Sequence, residues 1–424
     1  MQSRRNFIIR SIAAGTASVL AGNAFSRSLL WRSSEPRQGV PNPYLDKDGK
    51  PILVVVEGEN FGEMLARGLE ALGGLDKLVG SEHNVFINPN LNGRDHYPAI
   101  SDADAIASLA AYVDQHTSGK VVVGDVGYDP TQTTVNAINL KNKVEEVGAE
   151  LKMLTETTTV QGSGGGSYEV FSDIYNAPVL IDFCCLKRHF LGHMSGAIKN
   201  NVGTIKGEGA RSSRGNLHAK SGASFLTELA VIADLVKPDL AIMDARSLLV
   251  KNGPFTDPRS SGAEIRTGYN KLFISGDIVA LDTFAAYALQ LEDESFNIGM
   301  ISHTLNQARS LGLGVNSLDD ITVIEVSATG TGEQAGKPGR EEGIMNYPNP
   351  FREETMISYS VKSAGKISID VWDVNGRRII GWVRRHNAPG SFEISFRTGD
   401  LAPGIYSCIM RTDLGTSSKL MIRQ

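Results

Sequence analysis

Short apolar runs alternate with stretches at helical spacing between Pro51 and Val326. The runs at 52–56, 85–87, 121–123, 179–183, 240–243, 272–274 and 321–324 are dominated by Val, Ile, Leu and Phe, as strands buried on both faces are. Windows at 60–78, 102–116, 224–236, 278–291 and 303–311 repeat apolar positions at intervals of three and four, which predicts helices between those strands. The alternation specifies an α/β domain with a mostly parallel sheet, in which ligands bind beyond the carboxyl ends of the strands.

The period changes after residues 329–343, a Gly- and Glu-rich stretch with almost nothing to bury. Met356-Ile357-Ser358-Tyr359-Ser360-Val361 and Ile367-Ser368-Ile369-Asp370-Val371-Trp372 alternate as half-buried strands do. Asn375-Gly376, Pro389-Gly390 and Pro403-Gly404 supply the reversals. About seven short strands predict an all-β antiparallel sandwich over residues 344–424. At the other end, residues 25–50 read as a linker and the folded α/β body is expected at 51–328.

The chain has 424 residues, more than one typical domain. Its net charge of −5 leaves no broad cationic surface for nucleic acid. Three cysteines, Cys184, Cys185 and Cys408, are too few for a disulfide framework or for a cluster of four iron atoms held by cysteines, so no iron–sulfur cluster is expected. The apolar run near the start is short and diluted by Ser, Thr and Gly, so no permanent membrane span is expected.

Candidate chemistry gathers at the strand ends. Asp125, Asp182 and Asp244 stand in or after apolar runs, where a carboxylate can take a donor or a cation, or simply cap a helix. The loop Asn88-Pro89-Asn90-Leu91-Asn92-Gly93 follows another run. The densest segment is 186–203, expected as a loop mouth, which collects Lys187, Arg188, His189, His193, Lys199 and Asn200. Basic donors there suit an anionic small-molecule ligand or a phosphate-bearing cofactor of nucleotide type. His189 and His193, four apart, could share a helix face and bind a metal, although Gly192 and Gly196 weaken any helix and no Glu completes a metalloprotease pattern. Residues 162–167, Gly-Ser-Gly-Gly-Gly-Ser, lack the ending of a phosphate loop and read as a lid or linker. Cys184-Cys185 reads as a buried pair, and no Gly-x-Ser-x-Gly elbow occurs.

Ser3-Arg4-Arg5-Asn6-Phe7, before the Ala- and Gly-rich run that ends near Ala24, resembles a twin-arginine export signal over residues 1–24, which implies the twin-arginine translocase as a partner. Tyr347-Pro348-Asn349-Pro350-Phe351, Val371-Trp372-Asp373-Val374-Asn375-Gly376-Arg377, Gly404-Ile405-Tyr406-Ser407 and Lys419-Leu420-Met421-Ile422-Arg423 together resemble the C-terminal sorting domain of type IX secretion clients. That resemblance implies an immunoglobulin-like sandwich, the type IX secretion machinery as partner, and delivery through the periplasm to the cell surface or medium.

Lys187, His189, Ala197, Lys199, Asn200 and Gly203 resemble the pattern of the domain of unknown function 362 family, with support from Lys237-Pro238-Asp239-Leu240, Asn252-Gly253-Pro254 and Ser275-Gly276-Asp277. Asn88 stands where that family usually has lysine, and the ferredoxin-like cysteine motifs of many relatives are missing. More distantly, His189, Gly192, Ser195-Gly196, Lys199 and His218 resemble nickel-pincer lactate racemase-like enzymes. That similarity implies a nickel-containing or other metal cofactor carried on Lys199, His189 as acid or base, and His218 as a ligand. The candidate catalytic set is thus His189, Lys199 and Lys187. The candidate cofactor-binding set is Lys199, Asn200, Asn90, Asp125 and Asp244, and the candidate metal set His189, His193 and His218. Two readings stay open, an exported enzyme and a non-catalytic binding or cofactor-carrying protein. Both require His189 and Lys199 to face one hollow.

Overall fold

The computed structural model describes residues 35–328 and 343–423, apart from Arg94, Tyr128, Pro130, residues 208–211 and Asp400. The twin-arginine motif and the stretch 329–342 lie outside the described residues.

The first body is built on strands β1 (Ile52–Glu57), β2 (Val85–Pro89), β3 (Val121–Val123), β4 (Glu150–Leu151), β5 (Thr157–Gln161), β6 (Ser167–Phe171), β7 (Val179–His189), β8 (His193–Ser195), β9 (Leu240–Val250), β10 (Glu264–Arg266), β11 (Lys271–Ser275) and β12 (Thr322–Ser327). Its sheet runs in the order β12-β1-β11-β9-β7-β2-β3-β4, with β8 paired to β7 and β10 to β9. The sheet is mostly parallel, with β11 inserted antiparallel between β1 and β9. Alternate residues of β1 enter different cores. Val54 and Val56 join Met64, Leu65, Ile106 and Leu109 from the helices Phe61–Leu72 and Ala103–Asp114. Leu53 and Val55 join Leu229, Leu281 and Phe284 from the helices Gly222–Val236 and Ile278–Glu292. Helices on both faces explain why the strands read as continuous apolar blocks.

Several elements differ from the sequence reading for identifiable reasons. The helix begun at Phe61 ends at Leu72, because Gly73 and Gly74 adopt φ of 109° and 93°, and only a single 3-10 turn follows. β7 and β9 run well beyond 183 and 243, and the expected loop at 186–189 is buried strand. There each charged side chain meets a partner, so polarity did not end the strand. Residues 35–50 are no free tether. Arg37 pairs with Asp239 at 2.6 Å and donates to the carbonyls of Ala177, Pro178, Val236 and Lys237, while Tyr44 is fully buried. Residues 162–167 turn the two-stranded hairpin of β5 and β6.

The C-terminal region is all-β. Strands β13 (Gly343–Tyr347), β14 (Glu354–Val361) and β17 (Gly390–Arg397) form one antiparallel sheet. Strands β15 (Gly365–Asp373), β16 (Arg378–His386), β18 (Gly404–Thr412) and β19 (Gly415–Arg423) form the other. Ile357, Tyr359, Ile369, Val371, Phe396, Met410 and Met421 fill the space between them. Gly376, at φ 74°, makes the expected reversal between β15 and β16. Ile405, Leu420 and Ile422 share the apolar cluster of the first body instead. Gln290 Nε2 donates to the Val374 carbonyl at 3.0 Å, and Lys419 pairs with Glu325. Among the described residues no helix is long and apolar enough to cross a membrane.

Candidate functional site

β7 carries the pivotal side chains to the rim of the sheet. His189 is its last residue, and a tight reversal through Phe190, Leu191 and Gly192 starts β8, so His189 and His193 face each other across an antiparallel pair and not along a helix. The chain then enters the short helix Ala197–Asn200. Asp282 fixes that turn, accepting from the N–H groups of Ala197 at 2.7 Å and Ile198 at 3.0 Å. Gly196 is required there, since a Cβ would strike the Asp282 carboxylate. Burial pushes the Asp282 carboxyl up to about 7, against the pull of its two backbone donors.

A cavity of about 310 Å³ opens at this rim. Asn90, Asp125, His189, Lys199, Asn200 and His218 all line it, so six of the candidate residues meet in one place. Phe190, Phe255 and Pro254 give it an apolar lip.

The protonation states are set by surroundings. His189 Nδ1 accepts from the N–H groups of Leu191 at 3.1 Å and Gly192 at 3.2 Å. A ring so engaged keeps its proton on Nε2. Burial, with Lys199 and Lys187 adding like charge, holds His189 well below the ordinary imidazole range, so it is neutral. The same desolvation, reinforced by Lys187 and Arg214, pushes the Lys199 amine down to about 7. Lys199 has no hydrogen-bond or ion-pair partner among the described residues. Its stem lies over Gly192, where a Cβ would come 2.8 Å from Lys199 Cδ.

Behind the cavity runs a buried polar chain. Lys187 Nζ donates to Asn90 Oδ1 at 2.8 Å and to the Ala99 carbonyl. Asn90 Nδ2 donates to Asn200 Oδ1 at 2.8 Å, and Asn200 Nδ2 donates to Asp182 Oδ1 at 2.8 Å and to the Asn88 carbonyl. Asn88 Nδ2 also donates to Asp182 Oδ1, at 3.0 Å. Burial pushes the Lys187 ammonium down to about 8 and the Asp182 carboxyl up to about 8. Asp125 accepts from the Leu91 N–H at 2.7 Å, and burial raises its pKa.

Lys187, His193 and Asp244 are not brought to the cavity wall. Lys187 is 1% exposed and acts through Asn90. Asp244 lies within β9, paired with Arg246 at 2.7 Å and accepting from Tyr97 Oη at 2.8 Å, which commits it to structure. His193, at φ 61°, flanks the turn, and its carbonyl accepts from Arg188 Nε. Among the described residues no three His, Cys, Asp or Glu side chains gather to hold a metal ion, so His189, His193 and His218 form no ligand set. Cys184 and Cys185 are both buried, and burial pushes the Cys185 thiol up to about 12.

Arg214 is the residue the sequence reading missed. From the short helix Ser213–His218 it donates to the carbonyls of Val126, Gly127, Val202 and Ile205, joining three segments of the cavity wall. Ser212 caps that helix, its Oγ accepting from the Gly215 N–H at 3.0 Å.

A two-sided α/β sheet with a cationic cavity at its rim, followed by a β-sandwich, defines a two-module architecture. Residues 85–287 match the family described as a domain of unknown function, DUF362, and residues 345–423 match the secretion system C-terminal sorting domain. The chain carries both modules, and the second directs it to the cell surface or the medium. No curated protein matches it. Among solved structures it is similar to dimeric latent PorU from Porphyromonas gingivalis, at 19% identity and a TM-score of 0.16 over 19% of this chain and 9% of that one. It is also similar to the lactate racemase apoprotein from Thermoanaerobacterium thermosaccharolyticum, at 13% identity and a TM-score of 0.33 over 55% of this chain and 56% of that one. The chain thus spans 9% and 56% of the lengths of these two proteins, too little shared shape to carry a function across.

Proposed function

We propose that this exported protein is an enzyme that transfers protons on a small anionic substrate held in the rim cavity, with Lys199 as proton carrier and His189 as a neutral hydrogen-bond donor. The observation that carries the reading is an amine unpaired among the described residues and an imidazole of fixed tautomer, lining one cavity. An amine titrating near neutral pH takes and returns protons efficiently. Of the cations on the cavity wall, Arg259 pairs with Asp129 and Asp257, whereas Arg214 hydrogen-bonds to main-chain carbonyls and Lys199 has no partner among the described residues. A carboxylate ligand supplies one. Asn90 and Asn200, held in place by Lys187 and Asp182, bring further polar groups to the same wall.

The test is solvent exchange. Small 2-hydroxy and 2-oxo carboxylates incubated with the protein in D₂O should lose their carbon-bound α or β proton signals by NMR, and Lys199→Met should stop that loss while keeping its circular dichroism. Tight retention of a carboxylate by calorimetry with no exchange on any of them would instead establish a binding protein without turnover.

A further inference from the structure

We propose that Lys199 captures a small 2-oxo carboxylate covalently, as a reversible imine between its amine and the substrate carbonyl. This rests on the reading that the rim cavity admits small anions. Three features on the cavity wall converge on it.

First, Lys199 is uncommitted among the described residues, whereas lysines such as Lys152, Lys220 and Lys251 each pair with a carboxylate, at 2.7, 2.7 and 2.8 Å. An amine tied to a carboxylate stays protonated and cannot attack; an amine among other cations, in a partly dry cavity, is the nucleophilic kind. Second, burial in the cavity wall favours the uncharged amine, and Lys187 and Arg214 nearby act in the same direction. Third, its stem is seated on Gly192, at the β7–β8 turn, and the residue lines the cavity. The same wall provides amide groups on Asn90, Asn92 and Asn200, and cations for the substrate carboxylate.

The step balances without any oxidant or reductant. The lysine ammonium and the carbonyl compound give a protonated imine and water. A carbon–nitrogen bond forms, the carbonyl oxygen departs with two of the ammonium protons, and the third stays on nitrogen. Such an imine withdraws electrons from the adjacent carbon, which makes its C–H more acidic and joins the capture to proton transfer.

The experiment treats the full folded chain with pyruvate and sodium cyanoborohydride, which fixes any imine as a secondary amine. Intact mass should rise by one pyruvate, less one water, plus two hydrogens, and peptide mapping should place the addition on Lys199. Lys199→Arg, which keeps the charge, should lose the addition with unchanged circular dichroism. Gly192→Ala should fold and label several-fold more slowly, because its methyl displaces the lysine stem. No adduct on Lys199, or labelling no faster than on the exposed Lys47 and Lys362, overturns the proposal. Calorimetry with lactate, which has no carbonyl, separates the two ideas. Lactate binding without a pyruvate adduct removes the imine and leaves the anion cavity standing, whereas absence of both removes both.

Discussion

At the scale of single residues, the buried pair of Asp182 and Asn88 shows how burial decides charge. They stand opposite each other on β7 and β2, joined by one hydrogen bond, while Asp182 Oδ2 and Asn88 Oδ1 have no partner in that network. A carboxylic acid in place of a carboxylate offers one more donor, and burial favours that form by pushing the pKa from 3.8 up to about 8. A raised folded-state value contributes stability that is complete below 3.8 and is lost as the pH climbs through about 8. Asp182→Asn should therefore gain in melting temperature relative to the native protein as the pH rises across that window, which paired thermal melts measure. Gly203 offers a steric counterpart, because a Cβ there would land on the Asp125 carboxylate. Gly203→Ala should cost about 1–3 kcal/mol in urea unfolding. Sequence alone marked His189, Lys199 and Asn200 by their crowding. It could not mark Arg214, whose targets are main-chain carbonyls far along the chain that no residue type announces.

At the scale of elements, strand β7 determines where the site lies. The apolar block 179–183 announced the strand, but its continuation to His189 through charged residues was hidden, because periodicity reports apolar burial and not compensated polar burial. Arg188 depends on Asp293 at 2.9 Å, with side-chain exposures of 11% and 0%. Asp293→Ala leaves that guanidinium buried without its carboxylate and should cost about 3–5 kcal/mol in urea unfolding, with the β7–β8 turn loosened. The helix Ala197–Asn200 was likewise invisible, being one turn long and held by Asp282 from a distant helix. Helices such as Ile278–Glu292 were legible because a long repeat facing the sheet needs no distant partner to declare itself.

At the scale of the whole molecule, the sorting module delivers the chain and also covers part of the first body. Ile405, Leu420 and Ile422 lie in the first body's core cluster, and Lys419 pairs with Glu325. Lys419→Glu should lower the melting temperature, and adding Glu325→Lys should restore much of it in a double-mutant cycle. The central claim is that Lys199 is the charge the cavity offers to an anion. It is tested most directly by calorimetric titration of lactate into the full chain across about pH 5 to pH 9, around an amine held near 7 by burial and its cationic neighbours. The ammonium that attracts the carboxylate is lost as the pH rises through that value, so affinity should fall on the alkaline side and the fall should vanish in Lys199→Met. An affinity that stays level across the range, or a Lys199→Met protein that binds as the native one does, would contradict the account.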